Sequence, residues 1–217
     1  MTCIVGLKHP KLGVLMGCDS FVGNIEVRHQ FGVSKIRRPI PGLLIGHTGG
    51  VRVLQAVCAE GRFEPWNPKR WDPEGYVVRS VIPAMKRALK ASGELAVESG
   101  LESMRDRNYF LVGFGSSLFE VGSGFEAIPH GGLFHAVGVE AGVNLVEGAL
   151  TALERRGLLL DDPERAILEA LEIAGGVCNL VSGPYFVHKC GQPVLVKARP
   201  APAKKPKKKV PARRAAA

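Results

Sequence analysis

Thr2-Cys-Ile-Val-Gly-Leu7, Gly13-Val-Leu-Met-Gly-Cys-Asp-Ser20 and Val33-Ser-Lys-Ile-Arg37 decide how this chain is read. Each run is β-branched or bulky, and Gly, Pro or Asn breaks separate them, so each predicts a short strand. Met1 precedes Thr2, a small residue of the kind that methionine aminopeptidases leave exposed. Once Met1 is gone, the chain begins with a residue carrying both a hydroxyl and a free α-amine. That amine titrates near pH ~8, so a good fraction is neutral at pH 7 and can take the hydroxyl proton directly or through water. Nucleophile and base then belong to one residue. Asp19 and Lys35 stand near strand ends, where an ammonium favours anionic oxygen and a carboxylate holds the ammonium in place. A Met-Thr start alone carries little weight, because a Lys or Asp beside a strand is usually a solvated edge residue. Order and spacing give it weight.

Further along, Gly42-Leu-Leu-Ile-Gly46 predicts a strand entering the turn His47-Thr-Gly-Gly50. Val51, Leu54, Gln55 and Cys58 then fall at helical spacing. A helix N-terminus after the glycines leaves backbone N–H groups facing the turn, the physical basis for an oxyanion site at Gly49. The plain alternative is Gly-Gly as turn punctuation. His47 beside it reads either as a core or surface histidine or as a pocket wall.

In order and spacing, Thr2-Cys-Ile-Val-Gly6, Gly17-Cys-Asp-Ser20, Val33-Ser-Lys-Ile-Arg-Arg38 and Gly46-His-Thr-Gly-Gly50 resemble the start of a proteasome-type β-subunit. The nearest flavour is the bacterial HslV-type peptidase and the proteasome-like proteins of phages and bacteria. Glu172-Ile-Ala-Gly-Gly-Val-Cys178 is similar to a late helix–loop of HslV-type subunits, and the likeness covers roughly residues 2 to 197. The resemblance implies Thr2 as nucleophile, Asp19 and Lys35 as its supports, and the Gly49 N–H as oxyanion donor. It implies a threonine-type endopeptidase acting on peptides or unfolded protein, working without cofactor or metal. A homo-oligomeric ring that hides the sites, with an AAA+ ATPase as a possible feeder, follows from the same resemblance. So does a four-layer αββα sandwich, which the element order supports independently.

Two positions depart from the family pattern. Val139 falls where relatives carry a serine that hydrogen-bonds the threonine amine, and Gly176 stands where many carry an acid. Valine cannot orient an amine, which leaves Glu140 or a water to do so, or leaves turnover slow. A second reading of different class is therefore an inactive ring or scaffold of the same fold. A third is an amidase for small amides.

The remaining chain reads as follows. Phe63–Pro73 is a loop with Trp66 and Trp71 as packing anchors. Residues 74–92 form an amphipathic helix that Pro83 kinks or divides. Gly93–Arg107 reads as a loop or a frayed helix end. Strands follow over 108–115, 118–121, 125–128 and 133–138. A helix of about fifteen residues starts at Ala141, and Asp161-Asp-Pro-Glu164 caps the next one. Tyr185–His188 and Pro193–Val196 close the domain as strands.

With 217 residues and 46% hydrophobic content, one sizeable core is expected, as domain 1–197. The net charge of +9 misleads, because residues 198–217 hold eight Lys and Arg and no acid, leaving the body at about +1. That Lys/Pro/Ala-rich tail is expected to be disordered. It is either a solubilising segment or a phosphate-binding one that recruits nucleic acid or an acidic partner. Five scattered cysteines without a Cys-x-x-Cys pair argue for a reducing compartment. No apolar run reaches membrane-spanning length, and Lys8-His-Pro-Lys11 cuts short any signal-like stretch, so a cytoplasmic location is expected. Cys3 is no rival nucleophile, because strand alternation sends it to the face opposite Thr2.

Overall fold

The computed structural model describes residues 2–23, 28–30, 33–98, 100–104 and 108–190. Strands β1 (Cys3–His9) and β2 (Gly13–Cys18) pair antiparallel at its centre, with Ile4 opposite Cys18 and Leu7 opposite Leu15. Both are apolar at consecutive positions because both of their faces are covered. Ile4, Val14, Met16 and Cys18 join one core cluster, whereas Cys3, Val5, Leu7 and Leu15 join another on the opposite face.

The outer neighbours of this pair are β12 (Phe134–Gly138), beside β1, and β13 (Phe186–Lys189), beside β2. A second sheet has the order β11 (Ala127–Pro129), β10 (Ser117–Val121), β9 (Tyr109–Phe114), β6 (Leu43–Thr48), β5 (Ile36–Ile40). Every pairing among the described strands is antiparallel, including the separate pair of β3 (Phe21–Gly23) and β4 (Arg28–Gln30). The two sheets share the first cluster, where Ile4 and Met16 meet Leu44, Val112 and Leu118.

Helix α1 (Val51–Glu60) contributes Val53, Leu54 and Val57 to that same cluster. A helical stretch from Pro73 to Ser92 adds Tyr76, Val81, Met85 and Leu89. It divides into α2 (Pro73–Tyr76), a π-helical turn (Val77–Val81) and α3 (Ile82–Ser92). The division falls at Pro83, which lacks the N–H of the α-helical ladder, and the wider turn accommodates its ring. On the other face, α4 (Glu140–Arg155) and α5 (Pro163–Val177) press Val146, Leu150, Ile167 and Leu171 onto Val5 and Leu7. Asp162 rather than Asp161 is the α5 N-cap, accepting from the Arg165 N–H at 3.1 Å, with Pro163 in the first turn.

One expectation is corrected. The stretch read as a loop or a frayed helix end holds two strands, β7 (Leu95–Glu98) and β8 (Leu101–Met104), paired antiparallel as a separate two-stranded sheet. Its Val97 and Leu101 are exposed, so the alternation that marks a half-buried strand is missing from the sequence. Trp66 packs against Phe114, ring centroids 5.3 Å apart, and Trp71 lies against the same cluster, as packing anchors should. The strand expected over Pro193–Val196 and the basic tail lie outside the described residues, as does Met1. Among the described residues no helix is long and apolar enough to cross a membrane.

Candidate active site

Thr2 is fixed through its backbone. Its carbonyl accepts from the Val139 N–H at 2.9 Å, where β12 ends and α4 begins. The approach requires Gly138, whose φ is +142° and whose missing Cβ would lie 1.9 Å from the Thr2 oxygen. One residue on, Cys3 exchanges bonds with Asp19. The Cys3 N–H donates to Asp19 Oδ1 at 2.9 Å, and the Asp19 N–H donates to the Cys3 carbonyl at 3.2 Å.

Asp19 is fully buried at the end of β2. Besides Cys3, its carboxylate receives the Phe21 N–H at 3.1 Å and Lys35 Nζ at 2.8 Å. Burial pushes the carboxyl upward, while Lys35 and the two amides pull it back. Three donors converging on two oxygens need the acceptor-only, ionised form. Burial in turn holds Lys35 below the usual lysine range, against the attraction of Asp19. The pair is thus carboxylate and ammonium, and the ammonium holds its proton less tightly than a free lysine does.

Lys35 lies just before β5, and both neighbouring strands pin its backbone. Its N–H donates to Cys18 Sγ at 3.4 Å, and its carbonyl accepts from the His47 N–H at 3.2 Å. Ser34 adds a contact to His188 Nε2 at 2.8 Å, tying the turn to β13.

Gly49 follows β6 with φ +126°, and a Cβ there would lie 2.0 Å from Asn108 Oδ1. Asn108, buried, uses that same oxygen to accept the Gly50 N–H at 3.2 Å and to meet His47 Nε2 at 2.9 Å. Because the Gly50 amide can only donate, the oxygen assignment is fixed, and His47 carries its proton on Nε2. His47 is therefore a core histidine that also lines the cavity. Burial drives its pKa down to about 4, so it is neutral at pH 7.

Thr2, Lys35, His47 and Gly49 line one cavity of about 360 Å³, walled on its apolar side by Phe21, Val22 and Leu54. Asp19 is not among its lining residues and reaches the cavity only through Lys35. Cys3 points away into the second cluster, and burial, with Asp19 next in effect, pushes its thiol up to about 12. It is no nucleophile at neutral pH.

No protein-family model matches the sequence, and no curated protein matches it. Solved structures match in shape. Thiobacillus denitrificans BPH in complex with epoxomicin superposes with a TM-score of 0.66 at 18% identity, covering 87% of this chain and 99% of that one. Eukaryotic HslV from Trypanosoma brucei gives 0.58 at 16%, covering 86% and 98%. An Anbu (Gly-1) mutant from Hyphomicrobium sp. strain MC1 gives 0.60 at 15%, covering 87% and 81%. The chain has the proteasome-like, HslV-type fold.

Three features of the site were not read from the sequence. Ser20, next to Asp19, donates from both N–H and Oγ to the Ser182 carbonyl, at 3.1 and 3.3 Å. Ser182 Oγ is itself buried without a hydrogen-bond partner among the described residues. Tyr185 lies close enough to Asp19 and Glu172 for both to act on its hydroxyl, which burial raises above the usual tyrosine range. Asn108, which orders the Gly49 turn, immediately precedes β9 far downstream in the chain and carries no motif. Of the two departures from the family pattern, Val139 packs its side chain against the second cluster, and its backbone alone serves Thr2. Gly176 is exposed in the last turn of α5 with open space around it. Glu140, the other candidate for the amine, is exposed in the first turn of α4.

Proposed function

We propose that this chain is a threonine-type endopeptidase whose nucleophile is Thr2, freed as the N-terminal residue when Met1 is removed. The observation that carries the reading is the buried Asp19 carboxylate. It gathers the Cys3 and Phe21 amides and the Lys35 ammonium directly behind a cavity that Thr2, Lys35 and Gly49 share. Such an assembly is costly to bury, and its geometry suits a hydroxyl nucleophile with an adjacent cation.

In this mechanism Thr2 Oγ attacks a peptide carbonyl while the α-amine accepts the hydroxyl proton. Lys35 favours the forming alkoxide, Asp19 positions Lys35, and the Gly49 N–H meets the oxyanion. The protonated amine then delivers its proton to the leaving amine, the peptide C–N bond breaks, and an acyl ester on Thr2 remains. Water, deprotonated by the same amine, hydrolyses the ester. Ser182, with its unpartnered hydroxyl beside Ser20, is the group we assign to holding the amine in place of the absent serine at 139. The apolar wall of Phe21, Val22 and Leu54 suits an apolar substrate side chain.

The larger assembly belongs to the same proposal: a four-layer αββα sandwich over residues 1–197, carried into a homo-oligomeric ring. Exposed Val51 on α1 and Ile173 and Val177 on α5 offer apolar surface for neighbouring copies. Peptides or unfolded proteins are the substrates, with an AAA+ ATPase as a possible feeder and the basic tail as the only candidate nucleic-acid contact. Val139 favours a second reading, a silent ring or scaffold protein in which Thr2 is present but its amine is poorly held.

Epoxomicin, present in the complex of the Thiobacillus protein, separates the two. N-terminal and intact mass before and after treatment should show Met1 absent and one adduct per chain on Thr2. A chain with Met1 removed that forms no adduct would refute the peptidase and leave the scaffold.

A further inference from the structure

At the edge where the two sheets come together, away from Thr2, three side chains converge. Glu120 comes from β10, His130 directly follows β11, and His135 lies on β12 in the other sheet. One ligand atom from each lies within 4.8 Å of the others. His135 Nε2 is 2.8 Å from Glu120 Oε2, and His130 Nε2 is 4.0 Å from the same oxygen. The two imidazoles stack with centroids 3.5 Å apart and planes 15° from parallel, so both Nε2 atoms face one carboxylate.

An ordinary ion pair between His135 and Glu120 explains only half of this. His130 Nε2 is buried and has no hydrogen-bond partner among the described residues, and 4.0 Å is too long for one. A buried ring nitrogen left unpaired is costly. The surroundings are those of a metal ligand set. His135 Nδ1 lies 3.3 Å from Glu147 Oε1 on α4, and that oxygen also accepts the Ala136 N–H at 3.0 Å. A carboxylate behind a ligating histidine fixes the ring and its tautomer, leaving Nε2 for the ion. The His130 loop is anchored as well. Lys8 Nζ donates to the His130 and Gly131 carbonyls at 2.7 and 3.0 Å, and the His130 N–H donates to the Leu118 carbonyl at 3.0 Å. Two carboxylates against the one ammonium of Lys8 leave the pocket net negative.

We propose that Glu120, His130 and His135 bind one borderline divalent transition-metal ion, of which zinc is the type. Two imidazole nitrogens and one carboxylate oxygen suit zinc and its neighbours better than calcium or magnesium, which take oxygen ligands. Tetrahedral ligand bonds of about 2.0–2.2 Å place donor atoms about 3.3–3.6 Å apart. His130 Nε2, now 4.0 Å from Glu120 Oε2, therefore closes by roughly half an ångström, and His135 Nε2, now 2.8 Å from that oxygen, opens by about as much. The ion bridges β10 and β12, and so clips one sheet to the other at their open edge. His135 is three residues up β12 from Gly138, roughly 10 Å along the strand, so the ion supports the strand that ends at Thr2 without touching the cavity. The proposal is independent of peptidase activity.

The test is cobalt(II) and zinc(II) titration of the full-length, chelator-stripped protein. We expect one Co²⁺ per chain with visible d–d absorption and no thiolate charge-transfer band, displaced by Zn²⁺. Zinc should raise the melting temperature. His130→Asn removes a ligand whose Nε2 has no hydrogen-bond partner among the described residues, so it should keep the fold by circular dichroism while weakening binding at least 100-fold. Glu147→Gln should weaken it about tenfold. Independently of any variant, zinc should shift the Nε2 resonances of two histidines in nitrogen-15 spectra of the unaltered protein. Absence of stoichiometric binding, a thiolate band from the cysteines, undiminished binding in His130→Asn, or unmoved histidine resonances would each overturn the proposal.

Discussion

The sharpest physical consequence of the site concerns His47 and acid. Its ring is 3% exposed, carries its proton on Nε2, and is bonded to Asn108, and burial takes its pKa from 6.5 to about 4. In the unfolded chain the same side chain protonates near 6.5. Between those values the unfolded state binds a proton that the folded state refuses, so stability rises with pH across that window and falls as the pH drops through it. The separation is about 2.5 pH units, at about 1.4 kcal/mol each. Going from pH 7 to pH 4 thus costs the fold about 3 kcal/mol through this group alone. Below pH 4 the folded state also protonates and the penalty stops growing. For a domain of this size that corresponds to roughly 6–12 °C in melting temperature. Carboxylates elsewhere also respond to acid, so the assay is a difference measurement: urea melts of the parent and His47→Gln at half-unit intervals from pH 7 to pH 4. Glutamine carries an offset of its own, but that offset does not titrate. The parent should lose about 3 kcal/mol more than the variant across the window. A difference that stays flat within about 0.5 kcal/mol would show that His47 protonates in place, and the Asn108 bond and burial as drawn would be wrong.

Asp19→Asn keeps one acceptor but strips the charge that Lys35 faces. It should cost about 3 kcal/mol in a denaturant melt and abolish epoxomicin labelling, whereas a labelled, fully stable variant would remove Asp19 from the mechanism. Gly49→Ala forces a Cβ to within 2.0 Å of Asn108 Oδ1 at φ +126°; it should lose about 2 kcal/mol or more of stability and slow acylation of Thr2, measured as adduct formation rate. Ser182→Ala deletes a hydroxyl that bonds nothing else described, so its melting curve should move by less than about 0.5 kcal/mol while labelling slows at least tenfold; equal labelling rates would dismiss Ser182 as the amine holder. Val139→Ser loses partly buried methyls, at about 1 kcal/mol, and should accelerate labelling by supplying a second partner for the amine, a gain readable by the same mass assay.

The N-terminal arm is legible because its information is local. Strand alternation alone sends Cys3 to one face and Thr2 to the other, and the fold places Cys3 in the second cluster and Thr2 on the cavity. Asp19 and Lys35 were legible as strand-end charges. Their pairing was expected as well, and the fold adds how it is made, by the ends of strands from two different sheets meeting at 2.8 Å. The β7–β8 hairpin escaped for the opposite reason: Leu95 and Met104 pack on the first cluster while Val97 and Leu101 face solvent, so periodicity carries no clear trace of the pairing. Glu120, His130 and His135 lie ten and five positions apart on three segments, a spacing that matches no metal motif. Only the meeting of the two sheet edges brings them together.

Val139 shows how far a motif can be trusted. Read by side chain, it marks a missing function, since valine offers an amine nothing. Read by backbone, it is fully employed: its N–H holds the Thr2 carbonyl at 2.9 Å, and that bond exists because β12 ends there with glycine at 138. Any residue but proline at 139 can make the same bond, so the position of Thr2 is secured by topology and only the orientation of its amine depends on side chains. In the proposed mechanism that second task falls to Ser182, whose Oγ is buried without a hydrogen-bond partner among the described residues and whose carbonyl accepts from Ser20, next to Asp19. In the proposed mechanism, placement of Thr2 and tuning of its amine are thus separable. Substitutions at 139 should change the rate of Thr2 acylation without displacing Thr2, whereas any side chain added at 138 should displace it.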